Sequence, residues 1–99
     1  MEDKKIYDEI TKNLNNLVNN LELNPKFKDA QLMFVISKYL TKEYINRSKI
    51  LYYRVNCKYP NVDIYITTMY NHNDLKININ RFDRISKLIK LKEIENATI

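Results

Sequence analysis

Cationic side chains near the end of the chain have a spacing suited to binding phosphate groups. They recur every three residues along a segment whose apolar positions predict an amphipathic helix: Arg81, Arg84, Lys87 and Lys90. Arg54 lies on a predicted strand, with Tyr52 on the same face. Positive charges beside aromatic rings are typical of surfaces that bind single-stranded nucleic acid, because unpaired bases stack on the rings. The pattern therefore favours sequence-independent nucleic-acid binding, and the alternative is a basic face that is merely solvated.

A second group of residues is apolar or aromatic and falls on the sheet face opposite the predicted core. Strand alternation places four residues there: Ile50, Tyr52, Tyr65 and Met69. An exposed patch of this kind usually marks a partner site, although a helix that covers the face would serve equally well. The sequence therefore predicts protein binding or self-association as the first function, and nucleic-acid binding as the alternative.

Residues that could perform catalysis are few. Cys57, His72 and Asp74 are a nucleophile, a base and an acid, but strand alternation points Cys57 toward the core. One histidine with one acid does not make a metal site. Because the chain has no glycine, it contains neither a phosphate-binding P-loop nor a dinucleotide fingerprint. We expect a non-enzymatic protein with no catalytic residue, no metal and no cofactor.

The first half of the chain has the apolar spacing of two helices. A helix is predicted from residue 3 to 23 by a single stripe: Ile6, Ile10, Leu14, Leu17, Val18 and Leu21. Asn24 and Pro25 should end it and begin the next, with Asn24 as the cap and Pro25 in the first turn. The apolar positions of the second helix, from residue 27 to 44, cover most of its circumference. This helix is therefore either central in the fold or buried on one side by a partner.

From residue 49 the pattern changes to strict alternation, which predicts three strands at 49–59, 62–70 and 75–79. The first strand should direct alternate residues to the core: Leu51, Tyr53, Val55, Cys57 and Tyr59. Short turns at Pro60-Asn61 and at residues 71–74 make the strands antiparallel. Because the chain has no glycine, we expect the residues with left-handed backbone conformation at these turns to be Asn61, Asn71 and Asn73.

A basic helix from residue 82 to 95, capped by Asn80, completes the predicted order. The sequence thus predicts an α+β fold of two N-terminal helices, a three-stranded antiparallel sheet and one C-terminal helix. The helices should pack on one face of the sheet in two layers, as a single domain of residues 1–99.

Composition narrows the class of protein further. The net charge of +5 is concentrated in the second half of the chain, and the lone Cys57 favours a reducing compartment. The charged start of the chain does not resemble a secretion signal, and the longest apolar run is far shorter than the roughly 20 residues that span a bilayer. We therefore expect an intracellular protein that is not inserted in a membrane.

Nearly half of the residues are Asn, Ile, Lys or Tyr, while glycine is absent and Ala and Pro occur twice each. This composition, with the solitary Cys57 and the short length, resembles the small uncharacterised proteins of the lipothrixvirus and rudivirus groups of archaeal viruses. Phages of AT-rich bacteria have similar proteins. The resemblance implies a heat-resistant accessory protein in the host cytoplasm. We expect it to act as a homodimer, through the second helix or the tyrosine-rich sheet face, or on a host or viral protein.

Overall fold

The structure is a computed structural model, and it describes residues 2–69 and 74–81. Two helices come first, α1 (Glu2–Asn20) and α2 (Lys28–Leu40), and a single π-helical turn (Thr41–Ile45) extends α2. Three strands follow: β1 (Ile50–Lys58), β2 (Asn61–Thr68) and β3 (Leu75–Asn80). The predicted mixture of two N-terminal helices and a three-stranded antiparallel sheet is confirmed. The predicted C-terminal helix lies outside the described residues.

The predicted apolar stripe of α1 forms one wall of the core. Ile10, Leu14 and Val18 are at most 1% exposed, because their spacing of four residues keeps them on one side of the helix. The helix packs over β3, whereas α2 packs over β1. The two helices therefore lie side by side on the same face of the sheet.

The connection between the helices differs from the prediction. α2 begins at Lys28 instead of at Pro25, and its N-cap residue, Phe27, makes no side-chain capping hydrogen bond. Asn24 instead stabilises a local turn, in which its side-chain oxygen accepts a hydrogen bond from the Lys26 amide at 2.9 Å. Residues 24–26, which the sequence pattern assigned to the N-cap and first turn of α2, belong to this local turn, so the helix begins later.

The sheet is a meander in the order β1-β2-β3, with both pairs antiparallel. Its central strand buries every second residue against the helices: Val62, Ile64, Ile66 and Thr68. β3 adds Ile77 and Ile79, each at most 1% exposed. The opposite face of the sheet is covered by none of the described helices and is called the open face from here on.

The predicted position of Ile50 on the open face is wrong, since its side chain is buried in the core with 2% exposure. The register shifts between Ile50 and Tyr52, which pair with Thr68 and Thr67, so Leu51 is an extra residue on β1. Such a bulge reverses the alternation on one side of the insertion. Leu51, predicted to be in the core, is accordingly 52% exposed.

The left-handed residue among those described is Ser48, with φ of 57°, and not Asn61. Ser48 follows the π-helical turn, where the Lys49 amide donates a hydrogen bond to the Tyr44 carbonyl at 2.8 Å. The β1–β2 turn contains a cis Tyr59–Pro60 peptide bond, the arrangement of a type VI turn. Two other predicted left-handed residues, Asn71 and Asn73, lie outside the described residues.

Candidate nucleic-acid interface

The centre of the open face is a row of three side chains, one from each strand. Tyr65 of β2 pairs with Arg54 of β1 on one side and with Lys76 of β3 on the other. The Arg54 guanidinium carbon lies 4.3 Å from the centroid of the Tyr65 ring, and the Lys76 ammonium lies 5.9 Å from it. Each contact is worth about 0.5–1 kcal/mol at an exposed site. The ring therefore holds two positive charges at neighbouring positions.

Tyr52 extends this row along β1. Two residues from Arg54 on the same strand, it points to the same face, and it is 61% exposed. An exposed ring beside a fixed cation is the pairing that stacks an unpaired base while a phosphate is neutralised. Tyr52, Arg54, Tyr65 and Lys76 together are called the cation–tyrosine surface.

The charge of the open face is positive. Lys58 lies on the same face at the end of β1. Two of the described carboxylates lie at this face: Asp63 accepts a hydrogen bond from the Asn78 amide at 2.8 Å, and Asp74 accepts one from the hydroxyl of Thr67, which is opposite Tyr52. Within residues 2–69 and 74–81 the ion pair of the structure is Arg47 with Glu43, at 3.4 Å, in the segment that precedes β1. Arg54 and Lys76 make no ion pair with a described carboxylate, so their charges are available to a ligand.

Arg81, the first of the predicted basic helix residues, is directed inward. Its guanidinium Nη1 donates a hydrogen bond to the Val18 carbonyl at 2.6 Å, and its amide donates to the Pro60 carbonyl at 2.8 Å. Its Nε is buried and has no hydrogen-bond partner among the described atoms. Arg81 thus lies against the end of α1 and apart from the cation–tyrosine surface. Its predicted companions lie outside the described residues: Arg84, Lys87 and Lys90.

The residues predicted to contact a partner do not all lie on the open face. Tyr52 and Tyr65, predicted to contact a partner, lie with Arg54 on the open face, whereas Ile50 is in the core. Met69, just beyond the end of β2, is 47% exposed. Sequence reasoning left Lys76 out of the site, although alternation along β3 places it on the face opposite Ile77 and Ile79. Its position opposite Tyr65 depends on the β2–β3 register.

In the described part of the chain, the residues considered for catalysis do not lie close together. Cys57 is half-buried against the core, where burial and the nearby Asp29 carboxylate raise its thiol pKa to about 11. Asp74 accepts a hydrogen bond from the Thr67 hydroxyl at 2.7 Å, and His72 lies outside the described residues. No cluster of three metal-ligating side chains occurs in residues 2–69 and 74–81.

Comparison with protein families, with curated proteins and with solved structures finds no significant match to the chain. The resemblance to archaeal virus proteins therefore stays a prediction. Of the helices in the described part of the chain, none combines the length and the apolar character needed to cross a bilayer.

Proposed function

We propose that this protein, without being an enzyme, binds single-stranded nucleic acid with little sequence preference through the open face of its sheet. The observation that carries the proposal is the row in which Tyr65 holds Arg54 and Lys76 on either side, with the exposed ring of Tyr52 next to it. In this proposal the two cations neutralise phosphates, and a base stacks on Tyr52.

The chemistry of the surface accounts for the lack of sequence preference. Contacts to phosphates position a nucleic acid but carry no sequence information. Stacking on a tyrosine ring tolerates every base, because all bases have a π-face. RNA-binding modules that stack unpaired bases on aromatic residues of an open antiparallel sheet have a similar arrangement. That likeness is one of arrangement alone and supports the proposal only as an analogy.

The salt dependence of binding tests the role of the cations. Fluorescence anisotropy of labelled oligo-dT and oligo-U would be measured between about 50 and 300 mM salt, where each neutralised phosphate contributes a log–log slope of about −0.7. Arg54→Gln should make the slope less negative by about 0.7, because one phosphate contact is lost. Arg47→Gln is the matched control: it removes the same formal charge from a residue that precedes β1 and is not part of the cation–tyrosine surface, and it should leave the slope unchanged.

A second substitution separates stacking from charge. Tyr52→Ala should weaken binding about 5- to 150-fold, the equivalent of the roughly 1–3 kcal/mol of one stacked base, and should leave the salt slope unchanged. Absence of binding at about 50 mM salt would refute the proposal. So would equal losses in Arg54→Gln and Arg47→Gln, because that result would mean that net charge alone, and not this surface, holds the oligonucleotide.

Self-association is the second function that we propose, and a different surface supports it. Phe27, Met33 and Phe34 of the α2 region are 60%, 42% and 68% exposed. Clustered exposed apolar side chains of this kind mark interaction sites. Sedimentation equilibrium tests this function: the apparent mass should rise with concentration, and a constant monomer mass up to about 100 µM, a Kd equivalent to only about −5.5 kcal/mol, would contradict it.

A further inference from the structure

The outer edge of β1 is a row of backbone groups without a strand partner among the described residues. β1 is nine residues long, is first in the sheet order and pairs with β2 alone. Beyond its two ends the backbone is engaged, since the Lys49 amide bonds to Tyr44 and the Tyr59 amide to Asp29. An edge of this length is a ready template for a further strand.

The exposed side of α2 lies above the same edge. Phe34 is 68% exposed, and it lines a groove of about 360 Å³ together with Thr41 and with Tyr53 of β1. α1 lies on the other side of α2, over β3. The apolar side of α2 and the unpaired edge of β1 therefore belong to one continuous surface.

Two hydrogen bonds give the relative direction of α2 and β1. At one end the Asp29 carboxylate accepts from the Tyr59 amide at 3.0 Å, and toward the other the Ser37 carbonyl accepts from the Tyr53 hydroxyl at 3.1 Å. The helix thus runs antiparallel to the strand. The middle of the helical segment, at Phe34, consequently lies over the middle of the strand segment, near Val55 and Asn56.

We propose that a second copy of the chain occupies this surface, related to the first by a twofold axis that passes beside Val55 and Phe34. The two β1 strands pair antiparallel and join the sheets into one sheet of six strands, while the two α2 helices pack across the axis. A twofold interface is self-complementary, so the same edge and the same apolar side serve both copies.

The charges of β1 select this register. With Val55 on the axis, Arg54 lies opposite Asn56 of the partner subunit, and Tyr52 lies opposite Lys58 of the partner subunit. Moving the axis by one residue either way would place Arg54 opposite either Arg54 or Lys58 of the partner subunit, and like charges directly opposite are destabilising. The helices agree with this choice, because an antiparallel pair centred near Phe34 brings Asp29 toward Lys38 of the partner subunit.

This dimer deepens the proposed function and in that respect rests on it. Pairing through β1 places two cation–tyrosine surfaces on one continuous open face, with both copies of Tyr52 and Arg54 on the two central strands. A single strand of nucleic acid then crosses both surfaces, so the dimer should cover about twice as many nucleotides as one chain.

The test is sedimentation equilibrium of the purified full chain. Phe34→Lys, at a side chain that is 68% exposed, should fold normally by circular dichroism and should weaken dimerisation at least tenfold, about 1.4 kcal/mol. Asn16→Lys is the matched control, since it adds a positive charge at an exposed position of α1, which packs over β3 and not over β1. It should leave the dimer unchanged.

Cross-linking tests the register. Val55→Cys in a Cys57→Ser background should form a covalent dimer under mild oxidation, because the two copies face each other across the axis within about 5.5 Å. Lys49→Cys in the same background, at the start of β1, should not. A monomer at all concentrations, or a dimer that survives Phe34→Lys, would overturn the inference. Oligonucleotide binding by that monomer, with the salt slope still sensitive to Arg54→Gln, would leave the proposed function standing.

Discussion

Replacing Arg81 with methionine should destabilise the fold. This substitution distinguishes a structural role of Arg81 from a role in nucleic-acid binding. The guanidinium Nη1 lies 2.6 Å from the Val18 carbonyl, and the last turn of α1 contains no basic residue of its own. Arg81 therefore supplies the positive charge that favours the C-terminal end of a helix dipole. Methionine keeps much of the apolar stem but removes the charge and the donors.

The expected magnitude is the difference between two effects. Loss of a charged hydrogen bond costs about 1.5–3 kcal/mol, and loss of the dipole interaction costs about 0.3–1 kcal/mol. Against these, removal of the buried Nε, which has no hydrogen-bond partner in the described part of the chain, relieves a desolvation penalty of about 1–3 kcal/mol. The central values of these three ranges give a net loss of about 1 kcal/mol in the free energy of unfolding, which lowers the Tm of a domain of this size by about 4–8 °C.

Urea denaturation followed by circular dichroism measures the effect. Arg81→Met should lower the midpoint without changing the slope, since the folded structure and the surface exposed on unfolding stay the same. Arg47→Met, at a solvated ion pair with 60% side-chain exposure, should change the midpoint little. Unchanged stability of Arg81→Met, together with weaker oligonucleotide binding, would refute the reasoning and return Arg81 to the binding surface.

Two further predictions concern β1. Because the pKa of Cys57 is raised to about 11, its alkylation by iodoacetamide should accelerate about tenfold per pH unit from pH 7 to 10, since the thiolate is the reactive form; a rate that levels off below pH 9 would contradict this. Ile50→Ala should cost about 2–5 kcal/mol in urea denaturation because the side chain is buried. Leu51→Ala, on the exposed bulge residue, should cost much less, and equal losses would mean that the bulge is misplaced.

Apolar periodicity was sufficient to predict α1, α2 and the three strands. The stripe of α1 identified Ile10, Leu14 and Val18, which form the core, because a helix that buries one side needs apolar residues every three or four positions. Alternation likewise placed Tyr65 on the open face and Ile64 in the core. Both predictions depend only on neighbours within one element.

The errors occur where the backbone departs from regular geometry. Alternation assumes one residue opposite one residue, so it cannot detect the extra residue at Leu51 that turns Ile50 into the core. The left-handed conformation at Ser48 follows from the π-helical turn before it, whereas propensity favoured asparagine. Neither departure follows from the periodicity of a regular helix or strand.

The candidate site shows the same division. Tyr52 and Arg54 were predicted from one strand, since residues two apart share a face. Lys76 joins them only through the pairing of β2 with β3, and Arg81 leaves them only through its contact with Val18 on a distant helix. The site residues that the sequence did not predict correctly are those whose positions depend on contacts between elements far apart in the chain.

The consecutive strand order of the sheet has a consequence for how the chain folds. Each strand pairs with the one next to it in sequence, so two hairpins and α2 form by closing short loops, which is fast. α1 packs mainly against β3, through contacts that span most of the chain, and the Thr68 hydroxyl donates a hydrogen bond to the Asp3 carboxylate at 2.6 Å. We expect the first helix to dock last, onto a sheet that has already assembled beneath the second.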